Sequence, residues 1–472
     1  MTTTLHVDNV WTRVAGPASE THAAVRDLEG PLAGGFGLMH VDGNAFFSGL
    51  AYEIAERVGA AVVDARKAPA VEVRPSPAFL REYQRKAVEG VVARTRGIVK
   101  SPTGSGKTAI AAGIVAKVPI RWTVLVPKPG LVTQTAAWFR KNLDEPVGEV
   151  RRGVNKIQGR ILVATYEDIH AVPEAAAFLQ QSEGVIADEC HRAAMKTAAA
   201  VLVHAKNAYY RIGLSATPLD RSDGRSVLNV ALLGNVVEQI DTQTLVEEGA
   251  IMPLHFIWIP AEQSGIREDR AGNWNEFYRE KIACHAGRNE AAAMMAVALP
   301  KPALVFARLK EHAQLLHTAV ASRMDASKVA IVTGDVPPQE RRAIVEKLRR
   351  GDIDVVVATS VFYEGVDIPE LAGIVVATGY ESAVEAVQRV GRGTRQAEGK
   401  SVCYVADFAD AGHECLERHT LSRYQAYVDA GWKLRYPYKV KEPSTMDVRL
   451  LLKALLILHI VAAIVLTAIG RP

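Results

Sequence analysis

The sequence predicts an α/β protein built from two tandem, doubly wound parallel-sheet domains. Three observations carry this. From Phe79 onward, short apolar runs rich in β-branched residues alternate with stretches of helical spacing. The same texture restarts after about residue 250. The length, 472 residues, exceeds what one hydrophobic core usually spans.

In the first domain, residues 79–240, strands are expected at Gly97–Lys100, Thr123–Pro127, Ile161–Ala164, Val185–Ala187 and Ile212–Leu214. In the second, residues 250–430, they are expected at Ala303–Phe306, Ala330–Thr333, Val355–Ala358, Ile374–Ala377 and Val402–Ala406. Runs this apolar suit strands covered on both faces, hence a parallel sheet with flanking helices. Pro338–Arg350 has helical spacing, and Gly351 is placed to stop it.

Two further segments flank these domains. Residues 1–75 read as a small N-terminal accessory domain, with glycine-rich turns from Gly30 to Gly37 and a helix at Ala51–Val58. The three prolines of Ala68–Pro77 mark a linker. Residues 431–472 form a tail. Its segment 450–469 is apolar apart from Lys453, His459 and Thr467, and is expected to be a helix. Such a helix is about 30 Å long, the thickness of a bilayer core. Membrane attachment and burial against protein both remain open readings, because Lys453 shortens the clean run.

The net charge is +4, too small for a wholly basic nucleic-acid binder. The four cysteines, Cys190, Cys284, Cys403 and Cys415, form no C-x-x-C pair, so neither a zinc ribbon nor a disulfide framework is readable. His413, Cys415 and His419 lack a fourth ligand and zinc spacing. This cysteine usage suits a reducing, cytoplasmic setting, and the N-terminus lacks the pattern of a signal peptide.

Residues 101–108 read SPTGSGKT between an expected strand and an expected helix, Ala109–Ala116. This is the setting of a phosphate-binding loop. Ser101, Pro102, Thr103, Gly104, Ser105 and Gly106 are assigned to ATP, with the backbone N–H groups of Gly104 to Lys107 and the helix N-terminus wrapping its phosphates. Lys107 would reach the β- and γ-phosphates, and Thr108 would offer its hydroxyl to Mg2+.

Asp188 and Glu189 follow the apolar run Val185–Ala187, at the strand end where open α/β sheets bind ligands. Adjacent carboxylates repel, and a divalent cation offsets that. Asp188 is assigned to Mg2+, and Glu189 to orienting and deprotonating the attacking water.

With SPTGSGKT, DECH (188–191) and SAT (Ser215, Ala216, Thr217), the sequence resembles superfamily 2 helicases of the DExH type. It looks closest to phage recombination helicases, xeroderma-type repair helicases and restriction-enzyme motor subunits. The resemblance covers roughly residues 79–430 and implies two RecA-like domains that close on one ATP. It implies that Ser215, Ala216 and Thr217 couple nucleotide state to nucleic-acid grip, together with His191. AVQRVGRGTR (386–395) resembles motif VI, which makes Arg392 and Arg395 arginine fingers and points Gln388 at the γ-phosphate and His191. ATSVFYEGVDIPE (358–370) resembles motif V, with Gly365 and Asp367 near the nucleotide. LREYQ (80–84) resembles the adenine-reading motif, with Gln84 on the base edge and Arg81 stacked on the base.

Motors of this class hold mainly phosphates. The resemblance puts Lys128, Thr133, Gln134 and Thr165 of the first domain on the nucleic-acid track. It puts Arg308, Thr333, Gly334 and Thr359 of the second there too. The implied function is an ATP-dependent DNA helicase or translocase, moving 3′ to 5′, acting on single-stranded, forked or branched DNA, with the oligomeric state open and a monomer compatible with it. A restriction-system motor and an RNA helicase are the alternative readings. A silent nucleic-acid clamp is disfavoured by the intact Lys107, Asp188, Glu189, Gln388, Arg392 and Arg395. A transporter ATPase would leave 358–395 unexplained.

Overall fold

The structure is a computed structural model and describes residues 3–29, 37–40, 43–219, 225–262, 274–360, 368–379 and 382–438. Gly365, Asp367 and the apolar segment 450–469 lie outside the described residues. Among the described residues no helix is long and apolar enough to cross a membrane.

The first block is a four-stranded sheet. Its strands are β1 (Thr4–Val7), β2 (Trp11–Ala15), β3 (Ala45–Phe47) and β4 (Ala61–Asp64), in the order β3-β2-β1-β4. Only β1 and β4 run parallel. The helix Ala51–Val58 ends at Gly59, whose φ of 64° is the left-handed conformation that glycine adopts without a Cβ penalty. This block does not keep a core to itself. Phe46, Phe47 and Leu50 join one buried cluster with Leu228, Ala231 and Leu232 of the next domain. At Gly49 the two parts meet so closely that a Cβ would stand 2.1 Å from the Val230 carbonyl oxygen. The accessory block is thus seated on the first large domain rather than tethered beside it.

That domain carries eight strands: β5 (Arg96–Lys100), β6 (Trp122–Val126), β7 (Val147–Arg151), β8 (Val154–Lys156), β9 (Ile161–Thr165), β10 (Gly184–Asp188), β11 (Tyr210–Ser215) and β12 (Val236–Gln239). Their order is β12-β5-β11-β10-β6-β9-β7-β8, parallel except for the β7–β8 pair. The five expected strands are the central ones, each within two residues of its expected bounds. Every residue of β6, β9 and β11 is buried, as strands covered on both faces require.

The second large domain has six parallel strands: β13 (Leu254–Glu262), β14 (Ala303–Phe306), β15 (Val329–Val332), β16 (Val355–Ala358), β17 (Gly373–Val376) and β18 (Cys403–Ala411). They are ordered β13-β18-β17-β14-β16-β15. The helix Pro338–Arg350 has the expected bounds and stops at Gly351, φ 76°. Two buried ion pairs anchor the end of this sheet. Arg423 donates to Asp407 at 2.9 Å, and Arg288 pairs with Asp410, all four side chains being nearly inaccessible.

Candidate active site

The phosphate loop starts where β5 ends, beside β11 in the middle of the sheet. Ser101 N donates to Ser215 O at 2.9 Å, which fixes the loop to its neighbouring strand. Gly104 and Gly106 have φ of 88° and 80°, which let the chain turn its N–H groups inward before the helix Lys107–Lys117 begins. The loop is braced internally by Ser105, whose Oγ donates to Pro102 O at 2.7 Å and bonds the Ser101 hydroxyl.

Gln84 braces it from outside. Its Nε2 donates to Ser105 O at 2.9 Å, its Oε1 accepts from Arg81 N at 3.0 Å, and the side chain is buried. The sequence alone assigns this amide to the adenine edge; the structure places it against the phosphate loop. Tyr83, whose role no sequence pattern marks, donates its hydroxyl to the same Ser105 carbonyl at 3.0 Å. A Cβ on Gly106 would stand 2.5 Å from Gln84 Nε2. Gly106→Ala is therefore expected to cost about 1–2 kcal/mol for the left-handed residue. It should weaken nucleotide binding about tenfold, read by titrating a fluorescent ATP analogue.

β10 delivers the carboxylates next to this loop. Glu189 sits at φ 48°, a strained conformation for a non-glycine residue that turns its side chain back toward Lys107. Lys107 Nζ lies 3.4 Å from Glu189 Oε1, and His191 Nδ1 lies 3.4 Å from Glu189 Oε2. Burial opposes the charge on Glu189, but Lys107 and His191 overcome it and hold this carboxyl below its ordinary range. Burial and the neighbouring Glu189 push Asp188 the other way, upward. One carboxylate is thus held ionised while burial and the neighbouring charge disfavour the anion of the other. Burial would lower Lys107, yet Glu189 and Asp188 raise it, so it stays an ammonium.

These groups fit a nucleotide and its divalent cation. The eleven-residue helix Lys107–Lys117 presents its N-terminus, Lys107 and the half-buried Thr108, and the strand Gly184–Asp188 brings the paired carboxylates beside it, with Lys107 Nζ 3.4 Å from Glu189. Ser215 ties them together. Its Oγ lies 3.2 Å from His191 Nδ1 and accepts from Thr217 N at 3.1 Å. Ser215 thus links the phosphate loop, the DECH turn and the Ser-Ala-Thr segment containing Ala216.

The second domain reaches the loop through the turn Gly391–Thr394, which follows the helix Ala383–Val390. Thr394 Oγ1 donates to Thr103 O at 3.3 Å, and a Cβ on Gly391 would meet the Thr103 side chain at 2.8 Å. Arg392 and Arg395, half-buried, flank Thr394 on this turn, while Gln388 is exposed on the preceding helix. The connecting segment joins in, because Met252 N donates to Thr394 O at 2.7 Å.

The expected track residues divide into two groups. Lys128 begins the helix Pro129–Leu143, on which Thr133 and Gln134 are exposed. Gly334 is exposed, and Thr333 and Thr359 are buried at the ends of β15 and β16. Arg308, just past β14, lies over the Tyr278 ring at 5.1 Å. Thr165 departs from expectation. It is buried and caps the helix Tyr166–Ala171, accepting from Asp168 N at 3.1 Å and donating to Asp168 Oδ2 at 2.6 Å. Its hydroxyl is committed to that cap.

A phosphate loop on one sheet domain, touched by an arginine-bearing turn from a second, defines a two-domain motor ATPase. The family model of the type III restriction enzyme Res subunit matches residues 78–220, and that of the helicase conserved C-terminal domain matches residues 290–397. The DNA 3′-5′ translocase XPB2 of Sulfurisphaera tokodaii is 27% identical over 357 residues, 68% of this chain and 80% of that one. The ATP-dependent DNA helicase uvsW of Enterobacteria phage T4 is 26% identical over 368 residues, 72% of this chain and 71% of that one. Among solved structures, a fragment of a type I restriction enzyme HsdR subunit from Vibrio vulnificus YJ016 superposes with a TM-score of 0.54 at 23% identity. It covers 73% of this chain and 66% of its own. The DNA-bound Type ISP restriction-modification enzyme LlaBIII gives 0.55 at 17% identity, over 75% of this chain and 30% of its own. These two likenesses support the fold. The chain belongs to the superfamily 2 helicases, related to the repair, phage and restriction-enzyme groups, and is an ATP-dependent helicase.

Proposed function

We propose that this helicase is a DNA translocase that moves 3′ to 5′ and unwinds or remodels forked and branched DNA. The carrying observation is the seat of the Gly391–Thr394 turn on the phosphate loop, which makes the ATP site a joint property of both domains. The names of the relatives, a DNA 3′-5′ translocase and a DNA helicase, support DNA as the track.

In this reading ATP lies on the loop Ser101–Gly106, with its β- and γ-phosphates against Lys107. Mg2+ would be held by Thr108 and Asp188, where it supplies charge neutralisation of the phosphates. Glu189, held ionised, accepts the proton of the attacking water, and Arg392 and Arg395 stabilise the charge that builds on the γ-phosphate. Ser215 and His191 carry the outcome to the segments that grip the strand. Lys128, Thr133, Gln134, Arg308, Thr333, Gly334 and Thr359 would hold the sugar-phosphate backbone, largely without reading sequence.

The test is ATP turnover against single-stranded DNA, duplex, fork and RNA, with Lys107→Ala as control. The expected result is stimulation by single-stranded or forked DNA. Stimulation by RNA alone would overturn the choice of track.

A further inference from the structure

Lys400 belongs to none of the helicase motifs. It closes the short turn between the arginine-bearing segment and β18, with Lys400 N donating to Ala397 O at 3.2 Å. Its side chain folds back toward the protein. Nζ donates to Gly393 O at 2.8 Å, to Arg395 O at 2.9 Å and to Pro369 O at 3.0 Å. All three N–H groups of one ammonium are therefore satisfied by backbone carbonyls. Burial pushes this ammonium below its ordinary range, with Cys403 and Glu370 opposing the shift and Arg395 adding to it.

The three carbonyls are a telling set. Gly393 and Arg395 bracket Thr394, the residue that touches the phosphate loop, and Arg395 is itself an expected arginine finger. Pro369 lies on the other side, at the end of the segment 358–370 that resembles the DNA-coupling motif. The turn is thus held from three directions: Thr394 Oγ1 on Thr103 O, Met252 N on Thr394 O, and Lys400 beneath. Of these holds, only Lys400 also reaches Pro369. Charge-assisted hydrogen bonds are roughly twice as strong as neutral ones, so the ammonium is a firm clamp.

We propose that Lys400 is the positioning residue of the arginine turn, locking Gly393 and Arg395 in the geometry that hydrolysis needs and tying them to the Pro369 backbone. This rests on the reading of Arg392 and Arg395 as contacts to the γ-phosphate.

The test uses the full chain with Lys400→Met, which keeps the stem and removes charge and donors, and Lys400→Arg, which keeps both. Lys400→Gln, with two donors and no charge, is measured alongside. Lys400→Met is expected to lower kcat with saturating single-stranded DNA about 10²-fold, the scale of a misplaced catalytic group. The Kd of a fluorescent ATP analogue should change by less than about threefold, a shift well under 1.4 kcal/mol. The ratio of DNA-stimulated to basal turnover should fall with it. Lys400→Arg should recover most of the loss, and Lys400→Gln should fall between. Unchanged kcat and stimulation in Lys400→Met would overturn the proposal. So would parallel loss of analogue binding and melting temperature in Met, Gln and Arg variants, which marks a fold support only. Should Lys400→Met not fold, full turnover in Lys400→Gln overturns it equally. Arg395→Ala separates the two readings: intact turnover there removes the arginine assignment, whereas loss there with none in Lys400→Met removes only the lysine's role.

Discussion

Lys107→Ala is expected to reduce DNA-stimulated ATP turnover by at least about 10³-fold, while DNA binding stays within about threefold. Lys107 opens the helix Lys107–Lys117, so its ammonium is aimed from a fixed backbone position rather than from a loop. It also stands 3.4 Å from Glu189 and is the main reason, with His191, that this buried carboxyl stays ionised. Alanine removes the cation for the phosphates and relaxes the base together. The two losses act on one step, so they should not multiply. Phosphate release under saturating single-stranded DNA measures the effect. A variant that keeps wild-type stimulated turnover would sink the assignment of the phosphate loop.

Arg395→Ala is the second large effect, with turnover expected to drop about 10³-fold or more and ATP-analogue affinity nearly kept. The reason lies in where the two halves of the site come from. The first domain supplies Lys107, Thr108, Asp188 and Glu189. The second supplies a turn that touches the loop at Thr103 but follows a different sheet. In the proposed assignment, ground-state binding rests on the first set, while charge that develops only during transfer is met by the second. A large rise in KM with unchanged kcat would instead assign Arg395 to simple ATP binding.

Much of this was legible in the sequence. The helices Ala51–Val58 and Pro338–Arg350 have the expected bounds, because each carries clear helical spacing and a following glycine that adopts the left-handed conformation. The central strands were readable as uninterrupted apolar runs. The edges were not. β8 is only Val-Asn-Lys, and β12 is half-buried with an irregular register, so neither offers a long apolar run. β13 contains Pro260, which argues against a central strand and is tolerated because β13 lies at the sheet edge. Among the candidate residues, motif spacing picks out Lys107, Asp188 and Glu189, and the fold brings Lys107 and Glu189 within 3.4 Å. Spacing shows that a polar group is present but not which neighbour claims it, as at Gln84 and Thr165. Both are taken by nearby backbone groups. The contacts of Tyr83 and Lys400 were not legible, since their partners are backbone carbonyls, which no side-chain pattern marks.

The central claim is that one ATP site is completed by two domains and that hydrolysis reports their closure. A distance measurement between two fluorophores addresses it most directly. One is placed at exposed Lys86 on the first domain and one at exposed Leu315 on the second, with Cys284 and Cys415 replaced by serine. Adding a non-hydrolysable ATP analogue and single-stranded DNA should shift the distance to one narrow, shorter population, and Arg395→Ala should weaken that shift together with turnover. Full DNA-stimulated turnover with an unchanged distance would contradict the account.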